Sequence, residues 1–292
     1  MPKWKKKPKA AKTETSKPEL DLAQLWPGQS IELLKSLNIL TRDGKLNQDS
    51  RRKLKQVQHL IQFITPHLEG LKDIADLGAG KSYLGFILYD LWLRNQPESR
   101  LWSIEKRTEL VQAGKKIAST SHFDRISFVA QSIREATESA ELPQSIDAVT
   151  ALHACDTATD EAIAFALAKN AKFIALVPCC QAEVASLLGD LPASAARHDL
   201  GPLFRHGIHR REFGSHLTNV IRSLFLESRG YKVRVTELIG WEHSMKNELI
   251  LAEKVQGGNG QARKQLEQLL TEFPLKMKLF DLVPPAAEPT FS

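Results

Sequence analysis

Two patterns of apolar and polar residues alternate along the central part of the chain. Short, nearly continuous apolar runs predict buried strands, and each is followed by residues with helical periodicity. The predicted strands are 73–77, 101–105, 126–130, 145–154 and 172–178, and the predicted helices between them are 82–95, 107–119 and 157–169, with another from about 180. Alternating strands and helices with apolar strands indicate a parallel sheet that is covered on both faces.

The pattern changes near the end of the chain. "REFGSHLTNVIRSLFLESRGY" predicts a helix that ends at Gly230, with Leu217, Val220, Ile221 and Leu224 on one face. "YKVRVTEL" and "NELILAEK" then follow as two strands with no helix between them, which favours antiparallel pairing. The predicted fold is therefore α/β, a Rossmann-like, seven-stranded, mostly parallel sheet with a terminal antiparallel β-hairpin.

A predicted helix precedes the sheet. "SRRKLKQVQHLIQFITP" places Leu54, Val57, Ile61 and Ile64 on one face, and Pro66 ends the run. Its first turns also carry four cations, Arg51, Arg52, Lys53 and Lys55. The helix dipole disfavours cations at this end, so they either face an anionic ligand or form a solvated face.

The net charge of +6 is concentrated at the N-terminus, where residues 1–19 hold seven lysines against two glutamates. Such a run is disordered and attracts polyanions, so it is either an RNA-binding arm or a solubilising tail. No apolar run approaches the ~20 residues of a membrane span, and the basic start is not followed by the apolar segment of a secretory signal. Three cysteines make no disulfide framework, and we expect a cytoplasmic protein.

The stretch "DIADLGAGKSYLG" combines a strand, an acid and two glycines before a helix. A dinucleotide site would need glycines for a pyrophosphate. S-adenosylmethionine (SAM) has no pyrophosphate, so a SAM site does not need every glycine of a dinucleotide site. Gly78 and Gly80 would let the loop curl under the methionine end, Ser82 would cap the helix, and Asp76 would meet the ammonium group. Glu105, at the end of the next strand, would take the ribose hydroxyls.

These residues, with the late hairpin, resemble the class I SAM-dependent methyltransferases. "GAGKSYLG", "LHACDTATD" and "PCC" are similar to pieces of the branch that includes the tRNA acceptor-stem ribose methyltransferases. The chain differs from that branch at Ser82 and Asp156, where glycines are usual, and it lacks the branch's cysteine-rich zinc fingers. The resemblance implies SAM as cofactor and adds Gln131 and His153 to the cofactor-binding residues.

The resemblance covers about Lys53 to Lys254. We divide the chain into a disordered basic tail (1–19), an N-terminal helical segment (20–66), the SAM-dependent methyltransferase domain (67–254), and a linker with a short helix and C-terminal tail (255–292).

Candidate reactive groups follow the fourth and fifth strands, which should be neighbours. They are His153, Cys155 and Asp156 in one cluster, and Cys179 with Cys180 in the other. His153 or Asp156 would act as a general base. Alternatively, Cys155 or Cys179 would attack a pyrimidine as a thiolate, as in RNA m5C methyltransferases, or these cysteines would bind zinc with a histidine. Tight packing of small residues at the strand ends remains a further reading.

The segment 204–216, "FRHGIHRREFGSH", is expected to form a basic loop whose residues from Arg205 to Arg211 hold phosphate, or else an ion-paired surface turn. The leading hypothesis is a SAM-dependent methyltransferase that acts on RNA, either tRNA or rRNA. The alternatives are methylation of a protein or small molecule, a non-catalytic SAM- or RNA-binding module, and, last, an NAD-dependent dehydrogenase.

Overall fold

The computed structural model of the chain describes residues 25–152, 154, 156–178, 181–190, 200–238, 248–255 and 257–283. The strands are β1 (Asp73–Leu77), β2 (Arg100–Ile104), β3 (Ile126–Val129), β4 (Ala148–Leu152), β5 (Phe173–Val177), β6 (Tyr231–Glu237) and β7 (Glu248–Lys254). The helices are α1 (Ile31–Ser36), α2 (Gln48–Ile64), α3 (Tyr83–Leu91), α4 (Thr108–Thr120), α5 (Ile133–Thr137), α6 (Thr157–Ala168), α7 (Ala182–Gly189), α8 (Gly201–Arg205), α9 (Gly207–Ser228), α10 (Gly260–Glu272) and α11 (Lys278–Leu282).

All seven strands form one sheet in the order β3-β2-β1-β4-β5-β7-β6. The first five are parallel, β7 pairs antiparallel with β5, and β6 pairs antiparallel with β7 at the edge. This order confirms the predicted mostly parallel sheet and its terminal hairpin. It also confirms that β4 and β5 are neighbours, so their carboxyl ends lie side by side.

Side chains alternate between the two faces of the sheet along each strand, so successive residues pack into two separate hydrophobic cores. Ile74 packs with α1, α2 and α3, whereas Ala75 packs with the core that α6 and α9 build on the opposite face. The predicted apolar face of α2 is buried throughout. Residues of α10 and α11 join the second core, so segments outside 67–254 contribute to the packing of the sheet.

Several predicted boundaries need correction. The helix predicted for 82–95 ends at Leu91 and is followed by a short 3-10 turn at Leu93–Asn95, and the strand predicted for 145–154 is limited to β4. On α9 the buried stripe is Leu217, Ile221 and Phe225, while Val220 is 48% exposed. In the described part of the chain, no helix combines the length and apolar character that crossing a bilayer requires.

Candidate active site

The loop after β1 has the sharp curvature expected from its two glycines. Gly78 and Gly80 have φ of 62° and 58°, a left-handed conformation that glycine adopts without the strain of a Cβ. A Cβ built on Gly78 would meet no atom within 4 Å, so the loop borders open space there. The backbone at Gly78 is therefore accessible to a ligand.

Ser82 is at the N-cap position of α3, but the predicted capping role is wrong. Its φ of 53° is left-handed, and its side chain makes no capping hydrogen bond. The buried hydroxyl instead accepts a hydrogen bond of 3.0 Å from the Ser103 hydroxyl on β2. Ser82 therefore ties the loop to the neighbouring strand.

Asp76, near the end of β1, is almost completely buried beneath the loop. Its Oδ1 accepts a hydrogen bond of 3.1 Å from the Thr150 hydroxyl on β4. Burial raises the pKa of Asp76 to about 7, even though hydrogen bonds from Thr150 and from the backbone of Gly85 act in the opposite direction. A cation that reached this carboxyl would favour its ionised form.

Glu105 directly follows β2 and is bound to the glycine loop. Its Oε2 accepts the Gly80 N–H at 2.8 Å, and its Oε1 accepts the backbone N–H of Arg107 at 3.0 Å and the Nε of Arg107 at 2.8 Å. Burial acts to raise the pKa of Glu105, but these hydrogen bonds from Arg107 and Gly80 outweigh it and the pKa is lowered. Glu105 is thus an ionised acceptor next to the loop.

A cavity of about 430 Å³ opens beside this acceptor. Three of the predicted cofactor residues line it together, Gly78, Glu105 and Gln131. The Nε2 of Gln131 lies 3.5 Å from Glu141, while its Oε1 is buried and has no hydrogen-bond partner among the described residues. A buried acceptor without a partner is costly in a folded protein, so this atom marks a place for a ligand donor.

Asp156, at the start of α6, holds the region after β4 to the region after β5. Its Oδ1 accepts the N–H groups of Ala182 and Glu183, at 3.0 and 3.2 Å, in the first turn of α7. Its backbone has φ of 51° and ψ of −119°, which is unusual for a residue with a side chain. The carboxylate therefore stabilises the N-terminus of α7 in this structure. The other predicted catalytic residues, His153, Cys155 and Cys179, lie outside the described residues, as does Cys180.

A buried ion pair that sequence reasoning missed supports the same region. Arg222 of α9 donates from Nε and Nη2 to the two carboxylate oxygens of Asp160, at 2.8 and 3.0 Å, and Nη2 also donates to the backbone oxygen of Asp156 at 2.8 Å. Both charged side chains are fully buried. The signal in the sequence was an arginine within the apolar stripe of α9, where a charge requires a partner.

The basic segment 204–216 is helical, which corrects the predicted loop. Arg205 ends α8, and α9 starts at Gly207. The rings of His206 and His209 meet edge to face at 5.6 Å, and both are exposed, as are Arg205 and Arg211. Within the described ranges, no three or more His, Cys, Asp or Glu side chains are grouped to hold a metal ion.

Comparison with known proteins finds one matching family model. The sequence model of a family described as a methyltransferase domain matches residues 52–187. No curated protein matches the chain.

Among solved structures, the fold is similar to a putative O-methyltransferase from Klebsiella pneumoniae, with 13% identity, a TM-score of 0.49, and 80% of this chain and 94% of that chain covered. It is also similar to M. capricolum TrmK bound to S-adenosyl-homocysteine, with 13% identity, a TM-score of 0.45, and 73% of each chain covered. A third is an rRNA methylase from Streptococcus thermophilus, with 11% identity, a TM-score of 0.40, and 70% of this chain and 97% of that chain covered. These similarities concern the fold and do not identify a substrate for this chain.

The family match spans β1 to β5 and most of α7, and these elements carry the glycine loop, Glu105 and the cavity. The order of the seven strands, with an antiparallel hairpin at one edge, agrees with that assignment. Residues 52–187 therefore match a methyltransferase domain, and S-adenosylmethionine is the cofactor of such domains.

Proposed function

We propose that this protein transfers a methyl group from SAM to RNA, either tRNA or rRNA. The observation that carries the RNA assignment is the uneven charge: seven lysines against two glutamates in residues 1–19, with the rest of the chain close to neutral. Phosphate neutralisation by such an arm supplies affinity without regard to sequence. The cations of α2 and those from Arg205 to Arg211 would add further phosphate contacts.

The cavity beside Glu105 suits the adenosine part of SAM. Glu105 would accept hydrogen bonds from the ribose hydroxyls, and the unpartnered Oε1 of Gln131 would accept one from the adenine or the ribose. The Arg107 side chain would have to leave Glu105 first, and it can do so because it is 54% exposed. The open space at Gly78 admits the methionine end, whose ammonium group would be attracted to Asp76, directly or through water.

SAM supplies an electrophilic methyl group on a positively charged sulfur. Attack on this methyl group would break its bond to sulfur and release S-adenosylhomocysteine. An acceptor that carries a proton, such as a hydroxyl, would lose it as the new bond forms, and a base next to the transferred methyl group would take it. His153 or Asp156 would fill this role after β4. The Asp156 carboxylate already accepts two N–H groups of α7, so in that role it would act while also anchoring the helix.

The thiolate route through Cys155 and Cys179 is the competing mechanism. There, one cysteine would add to a pyrimidine carbon and later be expelled, with a second group removing the proton. Two measurements distinguish the routes. Replacing the general base should lower turnover while cofactor binding is retained. Only the thiolate route forms a covalent RNA adduct.

The decisive test measures methyl transfer from labelled SAM to tRNA, rRNA, total protein and a small-molecule extract, followed by mass spectrometry of the RNA nucleosides. A methylated nucleoside supports the proposal. Label in protein or small molecules alone would refute the RNA assignment. SAM binding without transfer to any of them would indicate a non-catalytic binding module. Parallel assays of His153→Ala, Asp156→Asn, Cys155→Ala and Cys179→Ala would then assign the reactive group.

A further inference from the structure

A second cavity, distinct from the one beside Glu105, lies between α1, α3 and α4, with a volume of about 260 Å³. Leu37, Tyr83, Leu110 and Ile117 form its apolar wall, and Lys81 and Lys116 also line it. We call it the Tyr83 pocket. It is slightly smaller than the range of about 300–1,000 Å³ typical of small-molecule sites, so it suits one ring-sized group rather than a whole cofactor.

The electrostatics of the Tyr83 pocket favour an anionic ligand. Lys81 and Lys116 are exposed at its edge, and no acid is among the described residues that line it. The Nζ of Lys53, on α2, lies 5.7 Å from the centre of the Tyr83 ring. Among the described residues, Lys53, Lys81 and Lys116 form no ion pair. Their charge is therefore available to a ligand.

The position of the Tyr83 pocket connects it with the methyltransferase site. Lys81 directly follows Gly80 and Tyr83 comes two residues later, so the loop that borders the cavity beside Glu105 continues into the wall of the Tyr83 pocket. Lys53 comes from the cationic first turns of α2, whose location at the wrong end of the helix dipole needs a reason beyond helix stability. A ligand in this pocket supplies that reason.

A nucleotide matches the Tyr83 pocket, because its flat base fits the apolar wall and its phosphates fit the lysines at the edge. Aromatic side chains bind bases by stacking, and neighbouring lysines bind the backbone, as in general single-strand recognition. We propose that the Tyr83 pocket holds one nucleotide of a single-stranded segment of the RNA substrate, with its base against Tyr83 and its phosphates on Lys53, Lys81 and Lys116. This inference rests on the proposed function, because it requires an RNA substrate.

The test uses the full-length protein and short single-stranded RNA oligonucleotides, with fluorescence anisotropy as the readout at several salt concentrations. Lys116→Glu is compared with Lys115→Glu, a neighbouring exposed lysine on α4 that does not line the pocket and undergoes the same change of charge. We expect Lys116→Glu to weaken binding about tenfold and to lower the salt slope by about one, because it removes a phosphate contact. Lys115→Glu should have a clearly smaller effect.

Stacking is tested separately with Tyr83→Ala and Tyr83→Phe. Loss of the ring should weaken RNA binding about tenfold, whereas phenylalanine should retain it. Calorimetry with SAM must give unchanged affinity for each variant, which establishes that the cofactor loop is intact.

The outcomes separate this inference from the proposed function. If the protein binds RNA and the two lysine variants are equally weakened, the pocket assignment is overturned and RNA methylation stands. If the wild-type protein binds SAM but no RNA, both are overturned. If an acidic peptide such as polyglutamate competes as well as RNA and Tyr83→Ala has no effect, the pocket recognises charge alone and the nucleotide assignment is wrong.

Discussion

Cofactor binding should depend on pH through Asp76. The pKa of this buried carboxyl is raised to about 7, so in the free protein it is largely protonated below that pH. If the ammonium group of SAM lies near it, binding favours the ionised carboxylate and must release the proton. One pKa unit corresponds to about 1.36 kcal/mol, which is tenfold in affinity. Each unit of pH below 7 should therefore weaken SAM binding about tenfold, until the proton is retained in the complex.

Calorimetry between pH 5.5 and 7.5 in two buffers of different ionisation enthalpy would measure both the affinity and the number of protons released. The upper limit matters because an α-amino group itself titrates near 7.7–8.0. Asp76→Asn is the control: its amide oxygen can still accept the Thr150 hydrogen bond, but it does not titrate. The variant should bind SAM more weakly at pH 7 and with no dependence on pH below it. Wild-type affinity that is constant over this range would refute the link between Asp76 and the ammonium group.

The same carboxyl makes a prediction for the free protein. Its pKa is higher in the folded state than the ordinary value of 3.8, so the folded state binds the proton more tightly. This stabilising contribution is fully present below pH 3.8 and is lost as the pH rises to about 7, by about 4 kcal/mol for a shift of roughly three units. Denaturant titrations should show that Asp76→Asn gains stability relative to the wild type across this window. A parallel pH dependence of the two proteins would contradict the assignment.

The remaining predictions concern the acceptor, the tail and the buried ion pair. Glu105→Ala should weaken SAM binding by about 1–3 kcal/mol in calorimetry, whereas Arg107→Ala should not weaken it, because the ribose replaces that side chain. Deletion of residues 1–19 should flatten the slope of log affinity for RNA against log salt by roughly 2 to 4. Equal slopes for the full chain and the shortened protein would show that the tail does not bind RNA. Arg222→Ala should cost about 3–5 kcal/mol in denaturant titrations, because it leaves the Asp160 charge buried, and the double variant Asp160→Asn with Arg222→Met should recover much of this loss.

The sequence was sufficient for the mostly parallel sheet, its terminal hairpin and the neighbouring fourth and fifth strands. Buried parallel strands are short apolar runs, and Gly78 and Glu105 could be expected near each other because each follows a strand at its carboxyl end. Gln131, which lines the same cavity, was expected only from the family resemblance. Helix ends were less predictable, because the stop of α3 at Leu91 and the turn after it depend on tertiary contacts. The exposure of Val220 has the same origin: the periodicity of α9 permits more than one buried stripe, and only packing chooses between them.

Interactions between distant residues could not be read from local pattern. Arg222 and Asp160 are 62 positions apart, and only the packing of α9 against α6 brings them together. The role of Ser82 was misread for a related reason: a serine before a helix normally caps it, but the left-handed backbone directs this hydroxyl to Ser103. Local propensity predicted a cap from the residue type, whereas in the fold the Ser82 hydroxyl bonds the loop after β1 to β2.

Ser82 and Asp156 are the two positions at which the chain differs from the glycines of the branch it resembles, and both have positive φ, at 53° and 51°. Such a conformation costs a residue with a Cβ about 1–3 kcal/mol, so it persists only where the surroundings hold it. Ser103 holds Ser82. The N–H groups of α7 and the Arg222 guanidinium hold Asp156. The backbone thus keeps the path that glycine would allow, and the side chains add bonds that glycine cannot make. Because these bonds connect the loop after β1 to β2 and the end of β4 to α7 and α9, the two departures from the motif stabilise the edge of the sheet at which the cavity beside Glu105 lies.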